Sequence, residues 1–250
     1  MKAWITWLKK PALWLLVLMG LEALARIVPH MPSPLMIGRL VVTNMTDAAF
    51  LFAVASSLRR MMIGFTGVVI IGIGTGLLLG RFRFLDDVLG TLAIALHAMP
   101  GAAWVPLAIV LFGLNESAVI FTVLLGAAGI VMVNTSSGVK EVPPLVLRAA
   151  KTMGARGATL FWHVIVPAAI PRIVDGLRLA WAFGWRALMA GELMVGSIQG
   201  MGRLLNDVAK QRQMPQLLAF MVIIATISVA IDTLIFKRVE KMVKSKWGTA

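Results

Sequence analysis

Long apolar stretches dominate the pattern of this chain, and they predict helices that cross a membrane. A spanning helix needs about 20 mostly apolar residues to cross the hydrocarbon core. Six stretches meet this requirement, and they are residues 12–28, 61–80, 88–112, 117–136, 179–198 and 217–236. We therefore expect an all-α integral membrane protein with six transmembrane helices, formed by residues 1–250 as a single domain.

The polar segments between the predicted spans differ in length. Residues 29–60 begin with several prolines and become amphipathic from about Asp47, so we expect them to lie along the outer interface. Residues 1–10 carry lysines ahead of the first span. No small-residue cleavage site follows that span, so it is expected to stay in the protein. The largest soluble segment is residues 137–178.

The segment 137–178 predicts two short helices beneath the membrane. Pro143 and Pro144 suit the start of the first helix, and Gly154 suits its end. The second helix is expected to stop near Pro167, because proline interrupts the hydrogen bonds of a helix interior. Several apolar residues in this second helix give it a face to bury.

Composition strengthens the membrane interpretation. Apolar residues make up 59% of the chain and charged residues 14%, whereas a soluble domain averages about 45–50% apolar and about 25% charged. This hydrophobicity excludes a disordered chain. The absence of cysteine excludes a disulfide scaffold and a thiolate metal site, and no metal site of another kind is expected.

The net charge of +13 arises from 24 basic and 11 acidic residues, and its distribution indicates an orientation. With the N-terminus placed inside, 16 of the 24 basic residues lie on the cytoplasmic side and seven on the outer side. Because cytoplasmic loops collect Lys and Arg, both termini are expected in the cytoplasm. Arg59 and Arg60 lie on the disfavoured outer side, just ahead of the second span.

Glycine and proline give two spans special backbone features. Gly72, Gly76 and Gly80 recur every four residues, which favours close helix packing over a phosphate-binding loop, since no dinucleotide fingerprint is present. The third span contains Pro100 and Pro106, which remove hydrogen bonds from the helix, so it should kink. Broken backbone at membrane depth is tolerated where it is buried in protein or lines a cavity.

Charge at membrane depth singles out two candidate residues for a translocation pathway. Arg186 and Glu192 lie within the fifth span, six residues apart and therefore on different faces of the helix. Each needs a partner elsewhere, because an unpaired charge at this depth is unfavourable. Either they form structural ion pairs, Arg186 with Glu192 or Asp232 of a neighbouring helix, or Arg186 lines the pathway and meets an anionic solute. Further pathway candidates, which are alternatively packing or interfacial residues, are His97, Trp104, Trp181 and Trp185.

The segment 137–178 also contains a spaced motif. It reads Arg148-Ala149-Ala150, three residues, Gly154, nine residues, and then Val164-Ile165-Val166-Pro167. The motif resembles a loop pattern in permease subunits of bacterial ABC importers, which reads Glu-Ala-Ala, three residues, Gly, nine residues, Ile-x-Leu-Pro. This chain departs from the pattern by Arg148 in place of Glu and by Val164 and Val166 in place of Ile and Leu.

Further stretches are similar to the nitrate/sulfonate/taurine branch of that family. They are Ser57-Leu58 with Arg60, Gly64-Phe65, Pro100 to Pro106 with Phe112-Gly113, Asn134-Thr135 with Gly138, and Glu192 followed by Gly200-Met201-Gly202. The resemblance covers about residues 50–240. It implies the architecture of a type I importer permease, with six spans and a cytoplasmic coupling helix, in the bacterial inner membrane.

The resemblance also implies partners. Two permease subunits pair as a homodimer, two cytoplasmic ATPase subunits dock around Gly154, and an extracytoplasmic binding protein delivers a small anionic solute such as nitrate, bicarbonate, a sulfonate or taurine. No nucleic acid is expected as a partner. The residues expected to couple the ATPase to the permease are Arg148, Ala149, Ala150, Gly154, Ala155 and Pro167. The sequence has no G-x-x-x-x-G-K-[ST] phosphate loop, so we expect no enzymatic activity or cofactor in this chain, and ATP with magnesium in the partner.

Two rival classes of function fit the sequence less well. An intramembrane enzyme would favour the motifs H-E-x-x-H or G-x-S-x-G, and neither occurs. A stand-alone secondary transporter or channel often has repeated halves with broken helices at corresponding positions, and no repeat is visible. The stand-alone transporter is the main alternative, and it would co-purify with no ATPase.

Overall fold

The computed structural model describes residues 16–28, except residue 18, and residues 31–247. This part of the chain is helical and contains no β-strand. Its helices are α1 (residues 19–27), α2 (Pro34–Asn44), α3 (Ala48–Arg81), α4 (Arg83–Ala98), α5 (Val105–Phe112), α6 (Glu116–Lys140), α7 (Pro144–Thr152), α8 (Gly157–Leu160), α9 (Val166–Val195), α10 (Met201–Lys210), α11 (Met214–Ile231) and α12 (Lys237–Trp247). A 3₁₀ turn (Gly101–Trp104) and two π-helical turns (Phe161–Ile165 and Asp232–Phe236) join some of them.

Among the residues that the structure describes, four continuous helical segments are long and apolar enough to cross a membrane. They are Ala48–Arg81, Glu116–Lys140, Gly157–Val195 and Met214–Val243. A fifth apolar unit is the pair Arg83–Ala98 and Gly101–Phe112, which is bent by 105°. The prediction of an all-α membrane fold is confirmed. The predicted first span, residues 12–28, lies partly outside the described residues.

α3, α6 and α9 pack side by side and supply most of the core. The buried side chains at their contacts include Val68, Val123 and Leu188. α3 approaches α6 through its row of glycines, where an added Cβ would lie only 2.5–2.6 Å from a side-chain Cβ of α6. Real Cβ atoms do not approach this closely, so the predicted packing role of these glycines is confirmed.

Replacing Gly76 by alanine is expected to destabilise the protein by about 1–3 kcal/mol through overpacking. The new Cβ would lie 2.5 Å from the Cβ of Thr135 and 2.8 Å from the carbonyl oxygen of Met132. Gly74→Ala is the matched control on the same helix, because a Cβ there meets nothing within 4 Å. Thermal unfolding in detergent measures the difference, and equal melting temperatures for the two variants would contradict this packing.

The segment between α6 and α9 differs most from expectation. α6 continues to Lys140 and a helix restarts at Gly157, so only residues 141–156 lie outside the long helices, rather than 137–178.

The expected stop near Pro167 is wrong, because α9 contains this residue in its first turn and continues through Pro171. The π-helical turn that precedes Pro167 is wider than an α-helical turn. The proline ring thereby avoids the carbonyl with which it would clash in a regular helix.

The third predicted span is broken rather than kinked. Helix α4 ends just before Met99, which is extended (ψ 131°) as favoured ahead of Pro100, and helical structure resumes at Gly101. A Cβ on Gly101 would lie 2.8 Å from the Cβ of Ala187, so α9 contacts the bend closely. Pro106 causes no break, since it lies in the first turn of α5, where its missing N–H costs no hydrogen bond.

Residues 48–60 do not belong to a separate interfacial segment, contrary to expectation. α3 begins at Ala48, where the Asp47 carboxylate accepts a hydrogen bond from the N–H of Ala49, and it continues unbroken into the second span. α2 packs against α11, and the side chain of Gln216 donates a hydrogen bond to Asn44 at 2.9 Å. Two polar residues of this stretch, Ser57 and Arg60, are buried against other helices.

Candidate coupling and translocation sites

α7 is a short helix that ends in a glycine turn. Gly154 has a φ of +91°, a left-handed conformation that favours glycine. The N–H of Ala155 donates to the carbonyl oxygen of Ala150, and the N–H of Gly154 donates to that of Lys151, both at 3.0 Å. These two bonds form a Schellman motif, which fixes the end of the helix. The predicted start and end of this helix are confirmed, whereas Pro167, the last residue of the motif, lies apart in α9.

One face of α7 is exposed and carries large apolar side chains. Leu145 and Met153 are 78% and 81% exposed. Arg148 and Ala149 are exposed beside them, while Ala150 is buried on the other face of the helix. A cluster of exposed apolar side chains outside the spans is typical of a surface that binds another protein.

A buried ion-pair network joins α3, α6 and α9 at the end of the bundle opposite α7. Arg60 and Glu192 are 1% and 0% exposed. The Nη1 atom of Arg60 lies 2.6 Å from Oε1 of Glu192, and its Nη2 atom lies 3.0 Å from Oε1 of Glu116. Nη2 also donates a hydrogen bond to the carbonyl oxygen of Gln199. Two carboxylates thus compensate one buried cation, and breaking such a group leaves an unpaired charge.

Backbone groups complete this network. Ser57 donates to the Glu192 carboxylate at 2.8 Å and accepts a hydrogen bond from the N–H of Met201 at 2.9 Å. The N–H of Gly202 donates to the second oxygen of Glu192 at 2.9 Å. A Cβ on Gly200 would lie 2.4 Å from that carboxylate, so the backbone can approach only as glycine. The turn before α10 is thereby tied to the long helices.

Sequence reasoning did not find this pairing. It placed Arg60 on the outer side without a partner, and it left Glu192 between a structural and a pathway role. The resemblance nevertheless contained a signal. One of the stretches similar to the importer branch contains Ser57 and Arg60, and another contains Glu192 followed by Gly200 to Gly202. The structure brings these stretches together.

Arg186 lies on an exposed face of α9, away from this network. Within the described residues it forms no ion pair. The alternative that it pairs with Glu192 or Asp232 is wrong, because Glu192 belongs to the buried network and Asp232 pairs with Arg178 at 2.7 Å. The exposed face of α9 around this cation consists of Leu179, Phe183, Arg186 and Met194.

The tryptophans of α9 do not share the exposed face with Arg186. Trp181 and Trp185 are buried in the core, where their rings stack with centroids 6.2 Å apart and Phe65 packs edge-on against Trp181. Of the two alternatives for these residues, their burial favours packing over the pathway, and helical geometry places both about 100–140° around α9 from Arg186. They pack against α3 instead.

His97 and Trp104 flank the break between α4 and α5. His97 is exposed at the end of α4, and Trp104 is half-buried in the 3₁₀ turn. The indole N–H of Trp104 is buried and has no acceptor in the described part of the chain. Since α9 packs against this turn, the break lies beside the part of α9 that carries Arg186.

The fold is that of an ABC importer permease. The chain is similar to the permease of the MetNI methionine ABC transporter, solved in inward-facing conformations, with a TM-score of 0.65 and 17% sequence identity. The alignment covers 78% of this chain and 96% of that one.

Sequence comparison defines the family. Residues 68–247 match the family described as "Binding-protein-dependent transport system inner membrane component", and the chain belongs to this family of multi-pass inner-membrane permeases. A Methanocaldococcus jannaschii protein assigned as an ABC transporter permease is 35% identical over 70% of this chain and 66% of its own length.

The names of two further relatives state which solute each transport system carries. The bicarbonate transport system permease protein CmpB of Synechococcus elongatus is 31% identical, and the taurine transport system permease protein TauC of Escherichia coli is 30% identical. Each alignment covers 74% of this chain and 67% of the relative. The chain thus spans about two thirds of the length of these three relatives.

Proposed function

We propose that this chain pairs with a second copy of itself to form the pathway of an ATP-driven importer for a small anion. The observation that carries the proposal is α7, an exposed helix with a glycine-fixed end that projects from the bundle. One ATPase subunit binds α7 of each copy, and a binding protein delivers the solute at the opposite end. This orientation places α7 and both termini in the cytoplasm, where the basic residues are in excess.

α7 is suited to pass movement between the ATPase and the spans. Leu145 and Met153 present apolar side chains to the partner, and the buried Ala150 faces the helices that follow. Only four residues, 153–156, separate α7 from the helix that leads into α9. Arg148 stands where the resembling family has Glu, so its contact on the ATPase is acidic in this proposal.

Two observations support an anionic solute. The relatives named above transport bicarbonate or taurine according to their names, and both solutes carry an anionic group. Arg186 is exposed in the last third of α9 and has no ion-pair partner in the described chain. An unpaired cation that faces lipid costs about 3 kcal/mol or more, so this face of α9 lines a polar cavity that the second copy closes. ATP and magnesium bind the ATPase subunits.

Replacing Gly154 by valine is expected to uncouple ATP hydrolysis from uptake while the permease still inserts. A β-branched residue is strained at a φ of +91°, so the Schellman turn would open and the end of α7 would lose its fixed position. The measurement is solute uptake and ATP hydrolysis by proteoliposomes that contain the complete transporter. Wild-type coupling in this variant would contradict the role of α7.

A second variant tests the docking surface directly. Met153→Glu places a charge on a side chain that is 81% exposed, so the fold should survive while less ATPase co-purifies. Met242→Glu is the matched control, because Met242 is an exposed methionine of α12 outside this surface. Unchanged recovery of the ATPase with Met153→Glu would exclude α7 as its site. Uptake that persists without any ATPase would indicate the stand-alone transporter instead.

A further inference from the structure

A groove of about 340 Å³ lies beside the turn that follows α7. It separates the end of α3 from the start of the helix that leads into α9, and none of the sites described above uses it. The walls are apolar or aromatic and include Leu77, Leu78, Phe82, Ala158, Phe161 and Trp162. Arg81 is the charged residue of the lining.

Arg81 is oriented by aromatic rings rather than by a carboxylate. Its guanidinium carbon lies 5.4 Å from the ring centroid of Phe82 and 6.0 Å from that of Phe161. It forms no ion pair with any residue that the structure describes. Aromatic rings near the guanidinium do not occupy its N–H groups as a carboxylate would, and the planar arrangement of these groups matches the oxygens of a phosphate. The groove thus offers a positioned cation to an anionic group.

The depth of the groove adds a second requirement for its ligand. Arg81 is the last residue of α3, where a long apolar span ends, so its charge lies at the boundary between hydrocarbon and headgroups. Leu77 and Leu78 lie about one turn, or about 5 Å, further into the hydrocarbon. Trp162 is 57% exposed, and an indole at this level is typical of the membrane interface. The ligand must therefore carry an anionic head above an apolar chain.

We propose that this groove binds one anionic phospholipid. The lipid phosphate accepts hydrogen bonds from Arg81, and the first part of an acyl chain lies along Leu77 and Leu78 against Trp162. Ala158 belongs to the first helical turn after α7, so the bound lipid stabilises the segment that joins α7 to α9. Binding needs neither ATP nor solute, so it can be tested apart from the transport function.

The test titrates the full chain in detergent with phosphatidylglycerol or phosphatidylcholine and counts bound lipids by native mass spectrometry. Arg81→Gln is expected to weaken phosphatidylglycerol binding about fivefold, because the anionic head loses its positioned cation. Phosphatidylcholine binding should fall by less than about twofold, because choline offsets the charge of its phosphate. The matched control is Arg238→Gln, an exposed arginine of α12 outside the groove, which should change binding by less than about twofold. Equal losses of phosphatidylglycerol binding in both variants would show that the effect comes from surface charge in general, and this result would overturn the proposal.

A second variant tests the shape of the groove while Arg81 is kept. Ala158→Trp fills the space beside Trp162 and should lower phosphatidylglycerol binding to the level of Arg81→Gln. Thermal unfolding checks that Ala158→Trp is folded. If it is not, the comparison of Arg81→Gln with Arg238→Gln decides whether the groove binds the lipid. Wild-type lipid binding by folded Ala158→Trp, or release of the lipid by inorganic phosphate alone, would overturn the assignment.

Discussion

Replacing Arg60 by methionine is expected to destabilise the protein by about 3–5 kcal/mol, which would remove most of the folded permease from the membrane. Methionine fills similar space but leaves the fully buried Glu192 carboxylate without a cation. The carbonyl oxygen of Gln199 would also lose its donor. The thermal unfolding temperature and the yield of folded protein in detergent measure the effect.

Two further variants make this prediction specific. Arg59→Met is the matched control, because Arg59 pairs with the same Glu116 but is 58% exposed, and it should cost about 1 kcal/mol or less. The double variant Arg60→Met/Glu192→Met removes both buried charges and should be more stable than Arg60→Met alone. Strictly additive losses in the double variant would show that the two side chains do not act as a pair.

Replacing Arg186 by glutamine is expected to reduce anion uptake by about tenfold to hundredfold, the equivalent of losing one hydrogen bond to a charged group. Protein level and assembly with the ATPase should stay normal, because Arg186 is exposed and has no ion-pair partner in the described chain. Uptake by proteoliposomes, normalised to the amount of assembled complex, measures the effect.

Arg178→Gln provides the contrast on the same helix. Arg178 pairs with both Asp232 and Glu240, so its loss should lower the unfolding temperature. A permease that assembles normally with Arg186→Gln and still takes up its anion at the wild-type rate would exclude the pathway role. Disappearance of the Arg186→Gln subunit would instead indicate a structural role in the dimer.

Hydropathy predicted the apolar spans that the structure describes, because burial in lipid is a local property of each stretch. The short helix α7 was equally predictable, since Pro144 and Gly154 define its ends through their own backbone preferences. The helix bounds were less predictable. α3 starts thirteen residues before the predicted span, because Ser57 and Arg60 are satisfied by residues far along the chain rather than by water.

The candidate site was only partly predictable for the same reason. Arg60 and Glu192 are separated by 132 residues, and no local sequence pattern indicates that they form an ion pair. Helical geometry alone could separate Arg186 from Glu192, yet the partner of each depends on which helices pack together. The continuation of α9 past Pro167 likewise depends on a π-helical turn, for which the proline itself gives no signal.

The unbroken helix from Gly157 to Val195 has a mechanical consequence, because it forms a lever with unequal arms. It packs closely against the broken span at Ala187, which leaves about 45 Å of helix on the α7 side and about 7.5 Å up to Glu192. A rod that pivots there reduces a stroke of about 6 Å at its long end to about 1 Å at its short end and multiplies the force about sixfold. A displacement of that size separates Arg60 from Glu192 beyond hydrogen-bonding distance, so a broad, weak movement at one membrane face becomes a short, strong one at the other.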